Sequence, residues 1–171
     1  MSRRKGDLQI RRKGKTDRSV GAAKEAAYRM LSYRDRTSHE VSVKLREKGF
    51  PEAVVSAVIS DLKEIDALND ARFARQWMQY QIENRHLGPF RLKGSLLEKG
   101  FSPLEVGKLL EGLSDDWDPV RLAERALLKR FKDPAVLVDL RLRRKAFAFL
   151  QRKGFGAGDI LTVFRNIGVT G

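Results

Sequence analysis

The chain contains no cysteine in 171 residues, which excludes disulfide staples and thiolate metal centres. Histidine is nearly as scarce: His39 and His86 are its only two, and they are too far apart for the i, i+4 pair that a helix presents to zinc. No apolar run approaches the roughly 20 residues of a membrane-spanning helix. The opening MSRRKGDLQIRRKGK is basic but lacks the apolar segment of a secretory signal. These absences lead to the expectation of a soluble, cytoplasmic protein with no metal, no cofactor and no membrane partner. Acidic charge is also short, with 22 Asp/Glu against 35 Lys/Arg and a net charge of +13.

The excess positive charge is unevenly placed. Residues 1–20 carry eight basic residues against two acidic, and 121–153 carry eleven against three, whereas 21–67 balance at eight of each sign. Both ends of the chain are therefore basic, an electrostatic pattern suited to a polyanion or to an assembly built on one.

Two stretches imitate phosphate loops and fail in context. Gly14-Lys15-Thr16 resembles the tail of a Walker A motif, but Gln9 stands where the first glycine is required. Gly154-Phe155-Gly156-Ala157-Gly158 lacks the preceding strand that a nucleotide loop needs. No nucleophile–base pair or paired-carboxylate spacing stands out, so the expectation is a protein without catalytic residues.

An internal repeat is what the sequence does contain. LREKGF, LLEKGF and LQRKGF end at Phe50, Phe101 and Phe155. Downstream, the apolar sets Val55, Val58, Ile59, Leu62; Val106, Leu109, Leu110, Leu113; and Ile160, Val163, Phe164, Ile167 share the i, i+3, i+4, i+7 spacing of one helix face. Upstream, Val41 and Leu45, Leu92 and Leu96, and Ala146 and Leu150 lie four residues apart on a second helix. A third helix precedes each pair, with Ala23, Ala27, Met30 and Leu31 along one side in the first repeat and Phe73, Trp77, Tyr80 and Gln81 in the second. In the third, Asp118-Pro119 supplies an N-cap followed by proline at the first helical position. DPAVLV at 133–138 reads as a turn before a helix starting near Asp139.

The predicted fold is thus all-α, an array of three tandem three-helix repeats. Its boundaries are a basic tail at 1–20, repeats at 21–68, 69–113 and 119–171, and an acidic linker at 114–118. LQIRR at 8–12 carries a weak extended signal. Each KGF reads as a helix stop: Gly49, Gly100 and Gly154 take the left-handed conformation, the phenylalanine packs back, and the lysine meets the negative end of its own helix. His39 lies in RTSHE, where Thr37 or Ser38 is expected to cap a helix with Glu40 in its first turn.

Binding candidates are the clustered cations. Arg141, Arg144 and Lys145 fall at i, i+3, i+4, with Arg143 beside them; Arg72 and Arg75 flank Phe73; Arg85, Arg91 and Lys93 bracket NRHLGP. Arginines so placed can clamp phosphates or carboxylates. Trp77 and Tyr80 offer stacking surfaces, although their spacing with Phe73 fits packing.

Three segments together resemble one known family. AAYRMLSYRDRTSHEVSVKLREKGF, LNDARFARQWMQYQIENRHLGPFRLKGSLLEKGF and FLQRKGFGAGDILTVF look like the successive repeats of the bacterial RecX proteins, over roughly residues 22–167. Asp70, Arg72 and Phe73 match the D-A-R-F signature; Gly88, Pro89, Arg91 and Leu92 match G-P-x-R-L. The resemblance implies an elongated, curved array of three-helix modules, acting as a monomer along the groove of the RecA–DNA filament. It further implies modulation, usually inhibition, of filament extension, strand exchange, ATP hydrolysis and co-protease activity in the SOS response. At the matching positions Asp70 is expected to be an N-cap, Phe73 core, Gly88-Pro89 the turn into the next helix, and Arg72 and Arg91 the contacts. The competing reading is a DNA-binding module that acts by competing for single- or double-stranded DNA.

Overall fold

The computed structural model describes residues 18–113 and 117–169. The predicted tail up to residue 17, including LQIRR, and residues 114–116 of the acidic linker lie outside the described residues. Among the described residues all regular structure is helical. Unit 1 comprises α1 (Val20–Leu31), α2 (Ser38–Glu47) and α3 (Glu52–Glu64); unit 2 comprises α4 (Asp70–Arg85), α5 (Pro89–Glu98) and α6 (Pro103–Glu111). Unit 3 comprises α7 (Pro119–Phe131), a 3-10 helix (Pro134–Val138), α8 (Leu140–Lys153) and α9 (Ala157–Asn166).

The helix starts follow from side chains that satisfy orphan amides. Thr37 and Glu40 form a reciprocal capping box on α2, and Ser102 and Glu105 form one on α6. Asp118 caps α7 ahead of Pro119, and Asp139 caps α8 by accepting from Arg141 and Leu142. Gly88 precedes Pro89 at the start of α5, as expected. Asp70 is not an N-cap. Asn69 takes that place and accepts from the Arg72 amide, because its backbone is extended, as a cap requires, while Asp70 is already the first helical residue. Asp70, one residue later, accepts instead from the backbone of Ser38 in unit 1 at 2.7 Å. Its other oxygen pairs with Lys63 at 3.3 Å.

Each Leu-x-x-Lys-Gly-Phe is one Schellman closure. The phenylalanine amide donates to the leucine carbonyl five residues earlier: Phe50 to Leu45 at 3.2 Å, Phe101 to Leu96 at 3.2 Å and Phe155 to Leu150 at 3.1 Å. The intervening glycines have φ of 84°, 91° and 93°, a region costly to residues with a Cβ. Both apolar partners of each motif are buried in their unit's core. A fourth stop, which carries no KGF, ends α9: Gly168 has φ 75° and Val169 donates to Phe164.

The same turns join the units. At the first joint, the Thr37 hydroxyl donates to the Lys99 carbonyl at 2.8 Å. At the second, the amides of Gly88 and Phe90 donate to the carbonyls of Lys153 (2.8 Å) and Gly154 (3.1 Å). A Cβ on Gly100 would overlap the His39 side chain, and one on Gly154 would overlap the Arg91 backbone. In both cases the second helix of one unit sets its N-terminus on the helix stop of the next. The lysines follow the joints rather than their own helix ends: Lys99 pairs with Glu40 at 3.4 Å, and Lys153 donates to the Arg85 carbonyl at 2.6 Å. A neighbouring acceptor at close range outweighs a diffuse helix dipole.

The core is carried by the predicted repeat positions. Val41, Leu45, Val55, Val58 and Leu62 are fully buried or nearly so in unit 1; Leu92, Leu96 and Val106 in unit 2; Ala146, Leu150, Ile160 and Val163 in unit 3. Unit 2 departs from the prediction. Phe73 is buried as expected, but Tyr80 is exposed, Trp77 is only half-buried, and Ala74 and Met78 complete the buried face of α4. Leu109 and Leu110 on α6, and Leu113 just beyond its end, are only half-buried.

Candidate functional site

The predicted contact residues divide by what already holds them. Arg72, in the first turn of α4, binds the Asp66 carboxylate and donates to the Asp66 carbonyl at 2.9 Å. It thereby clamps a residue in the left-handed region, φ 56°, and its guanidinium has a structural task. Arg143 is likewise occupied: it donates to the carbonyls of Leu137 (3.2 Å) and Val138 (3.4 Å), closing the 3-10 helix. Arg75, Arg85, Arg91, Lys93, Arg141, Arg144 and Lys145 are exposed. Arg91 stands at the second joint, where its backbone lies against Gly154.

On α8, Arg141 and Lys145 share a face with Arg152, which is also exposed. At 100° per residue the three fall within about 40° of one another, opposite the buried Ala146 and Leu150. Arg152 lies outside the cluster singled out from sequence, but its spacing of seven from Lys145 marks it as the same stripe.

A small cleft of about 170 Å³ opens where α4 ends against unit 3, lined by Asn84, Arg85, His86, Ala126, Lys129, Arg130, Phe149 and Lys153. Lys129 and Arg130, which line it from α7, stand outside the candidates singled out from sequence; the basic pair in the last turn of that helix is the signal that marks them. Burial pushes the Lys153 amine down, and Arg85 and Lys129 push it further. His86 is lowered first by burial and then, against a bond to the Ile82 carbonyl, by Lys129, Lys153 and Arg125.

Trp77 and Tyr80 do meet in one concavity, with Arg34, Asp35, Phe73, Gln76, Gln81 and Lys99. Lys99 lies over the rings of Phe73 at 5.1 Å and Trp77 at 5.5 Å, so the tryptophan face is already engaged by a cation. A larger cleft of about 670 Å³ separates α4 from α6, between Arg75, Met78, Gln79, Ile82 and Glu83 on one wall and Lys108, Leu109, Gly112 and Leu113 on the other. Trp117 borders it, with its indole N–H buried and without an acceptor among the described residues.

No cluster of three or more His, Asp or Glu able to hold a metal occurs among the described residues, and no described helix is long and apolar enough to cross a membrane.

Comparison with known proteins places these units in sequence. The first three-helix domain of RecX matches residues 23–62, the second 69–106 and the third 117–164. A regulatory protein RecX of Halorhodospira halophila is 32% identical over 140 residues, covering 81% of this chain and 84% of the relative. That of Chromohalobacter salexigens is 31% identical over 132 residues, covering 77% and 84%. The crystal structure of RecX from Lactobacillus salivarius superposes with a TM-score of 0.70 at 25% identity, covering 88% of this chain and 97% of that one. With all three domain models matched in order, each on the helices that share one core, the chain belongs to the RecX family of regulatory proteins.

Proposed function

We propose that the protein is a non-enzymatic regulator of the RecA recombinase, one that binds along the groove of the RecA–DNA filament and limits its extension, strand exchange, ATP hydrolysis and co-protease activity. The observation that carries this reading, beyond family membership, is the pairing of a repeat array with exposed cations that have no ion-pair partner among the described residues. Stacked units present an extended surface, and the α8 stripe of Arg141, Lys145 and Arg152 offers it positive charge across roughly 16 Å at 1.5 Å per residue. A filament of protein on nucleic acid has both acidic side chains and phosphates to meet such a surface.

The test is the rate of ATP hydrolysis by the cognate RecA on single-stranded DNA. Substoichiometric protein is expected to slow it, and charge reversal at Arg141, Arg144 and Lys145 is expected to weaken that effect while leaving the helical circular dichroism signal intact. No change in rate at equimolar protein would refute the reading. A second reading, competition for DNA itself, is favoured by the cation-lined cleft beside α4. It predicts tight DNA binding without RecA, falling steeply with salt.

A further inference from the structure

Five cations of unit 1 and four at the joint of units 2 and 3 keep different company. In unit 1, Lys24, Arg34, Lys44, Arg46 and Lys63 each have a carboxylate within 4 Å, namely Asp61, Glu40, Glu47, Glu52 and Asp70. In the cleft between α4, α7 and α8, four cations converge from three helices: Arg85, Lys129, Arg130 and Lys153. None of the four has an ion-pair partner among the described residues, and no residue lining the cleft is acidic.

Placing like charges together raises their mutual energy, and the apolar walls supplied by Ala126 and Phe149 intensify it by excluding water. Capping accounts for only one of the four. Lys153 donates to the Arg85 carbonyl at the end of α4 and lies over the Phe149 ring at 5.7 Å. That arrangement fixes its ammonium in place but leaves the Arg85 guanidinium, Lys129 and Arg130 uncommitted. The cleft volume of about 170 Å³ is on the order of a cavity that admits a benzene-sized molecule, enough for a phosphate group and its ester oxygens.

We infer that this cleft is an anion site for the phosphodiester backbone of a nucleic acid, with Arg85, Lys129 and Arg130 contacting phosphate oxygens and Lys153 positioned beneath them. Arg85 suits bidentate contact and the lysine acts as a point charge. A nucleic acid is favoured over an acidic peptide by the charge around the cleft. Lys153 ends the helix that also carries the exposed Arg141, Lys145 and Arg152, so a chain of phosphates leaving the cleft has further positive charge to meet on the same helix. The inference deepens the DNA-contact part of the proposed function and rests on it.

The experiment uses the full chain without RecA and a labelled single-stranded oligothymidylate, with affinity measured across a salt series. The Lys129→Gln/Arg130→Gln variant changes two exposed helix positions to a residue of similar helix propensity, so folding is retained and is checked by circular dichroism. Its log affinity against log salt is expected to be shallower by about 1.4, at ~0.7 for each single-strand phosphate that is no longer neutralised. A control of equal charge change, Lys44→Gln/Arg46→Gln, is expected to keep the parental slope because both residues are already paired within unit 1. Equal slopes in parent and cleft variant would overturn the assignment, as would equal flattening in both variants. RecA ATPase assays separate this result from the wider reading. Loss of DNA binding with RecA inhibition intact supports the cleft and removes DNA competition as the mechanism. Unchanged DNA binding with inhibition abolished overturns the phosphate assignment in favour of an acidic protein surface.

Discussion

Units 1 and 3 draw their first helix onto their third, α1 against α3 and α7 against α9, whereas unit 2 leaves α4 and α6 parted by a cleft. The contrast traces to side-chain size. Buried Ala23, Ala26 and Ala27 line α1, and buried Ala123 and Ala126 line α7, so backbones approach closely. In α4, Phe73, Trp77 and Met78 surround a single small residue, Ala74. Ala74 and Val106 share one buried cluster, whereas Leu109 and Leu113 stand at the cleft wall. The end of α4 then serves unit 3: Ile82 packs against its core, and the Arg85 carbonyl accepts from Lys153. Unit 2 gives up internal closure and bridges its neighbours.

The sharpest way to break this comparison is to truncate one repeat position in two units. Leu62 is fully buried, and Leu62→Ala should cost ~2–5 kcal/mol in denaturant unfolding. Leu113 holds the same place after its KGF but is half-buried at the cleft, so Leu113→Ala should cost under about 1 kcal/mol by its smaller loss of apolar area. Equal losses would mean that unit 2 is closed in solution.

The joints sharpen the contrast next. Gly49 and Gly154 have nearly the same φ, so an alanine at either meets the same backbone penalty, roughly 1–2 kcal/mol. Only Gly154 is pressed against another unit. Gly154→Ala should therefore cost an additional ~1–3 kcal/mol from overpacking, read as a larger drop in thermal midpoint than that of Gly49→Ala. Identical drops would reduce KGF to a helix stop alone.

The smallest effect concerns the first joint and pH. Burial pushes the Glu40 carboxyl up, but the Arg34 side chain, the Thr37 amide and Lys99 together hold it below the usual glutamate range. A carboxyl whose folded value lies below its unfolded value stabilises above the unfolded value, and that contribution disappears as pH falls through the folded one. Glu40→Gln should thus lower the thermal midpoint modestly at neutral pH and leave it unchanged in strong acid, where parent and variant converge. The second joint, held by backbone bonds, should show no such convergence.

Much of this architecture was legible in the residues. The Leu-x-x-Lys-Gly-Phe spacing marks three Schellman closures, because only glycine enters the left-handed region cheaply while leucine and phenylalanine close the turn from either side. The downstream apolar stripes identify the helices that follow. Caps are read less securely: Asn69 and Asp70 are adjacent and chemically alike, and only the loop path decides which oxygen faces the free amides. Exposure of a cation is likewise no guide to its availability. Arg72 and Arg143 read like Arg141 and Arg144 in sequence, yet the first two are occupied by local acceptors.

What the sequence determined by itself is most of what has a short period, since helix stops, most helix faces and most caps depend on residues within a few positions of one another. What tertiary structure decided is everything that joins distant segments. It turned Gly100 and Gly154 into joints, sent Lys153 to the end of α4, and gathered Arg85, Lys129, Arg130 and Lys153 into one cleft with no acidic residue in its lining. These contacts depend on how far bulky or small side chains hold helices apart, a distance no local pattern encodes.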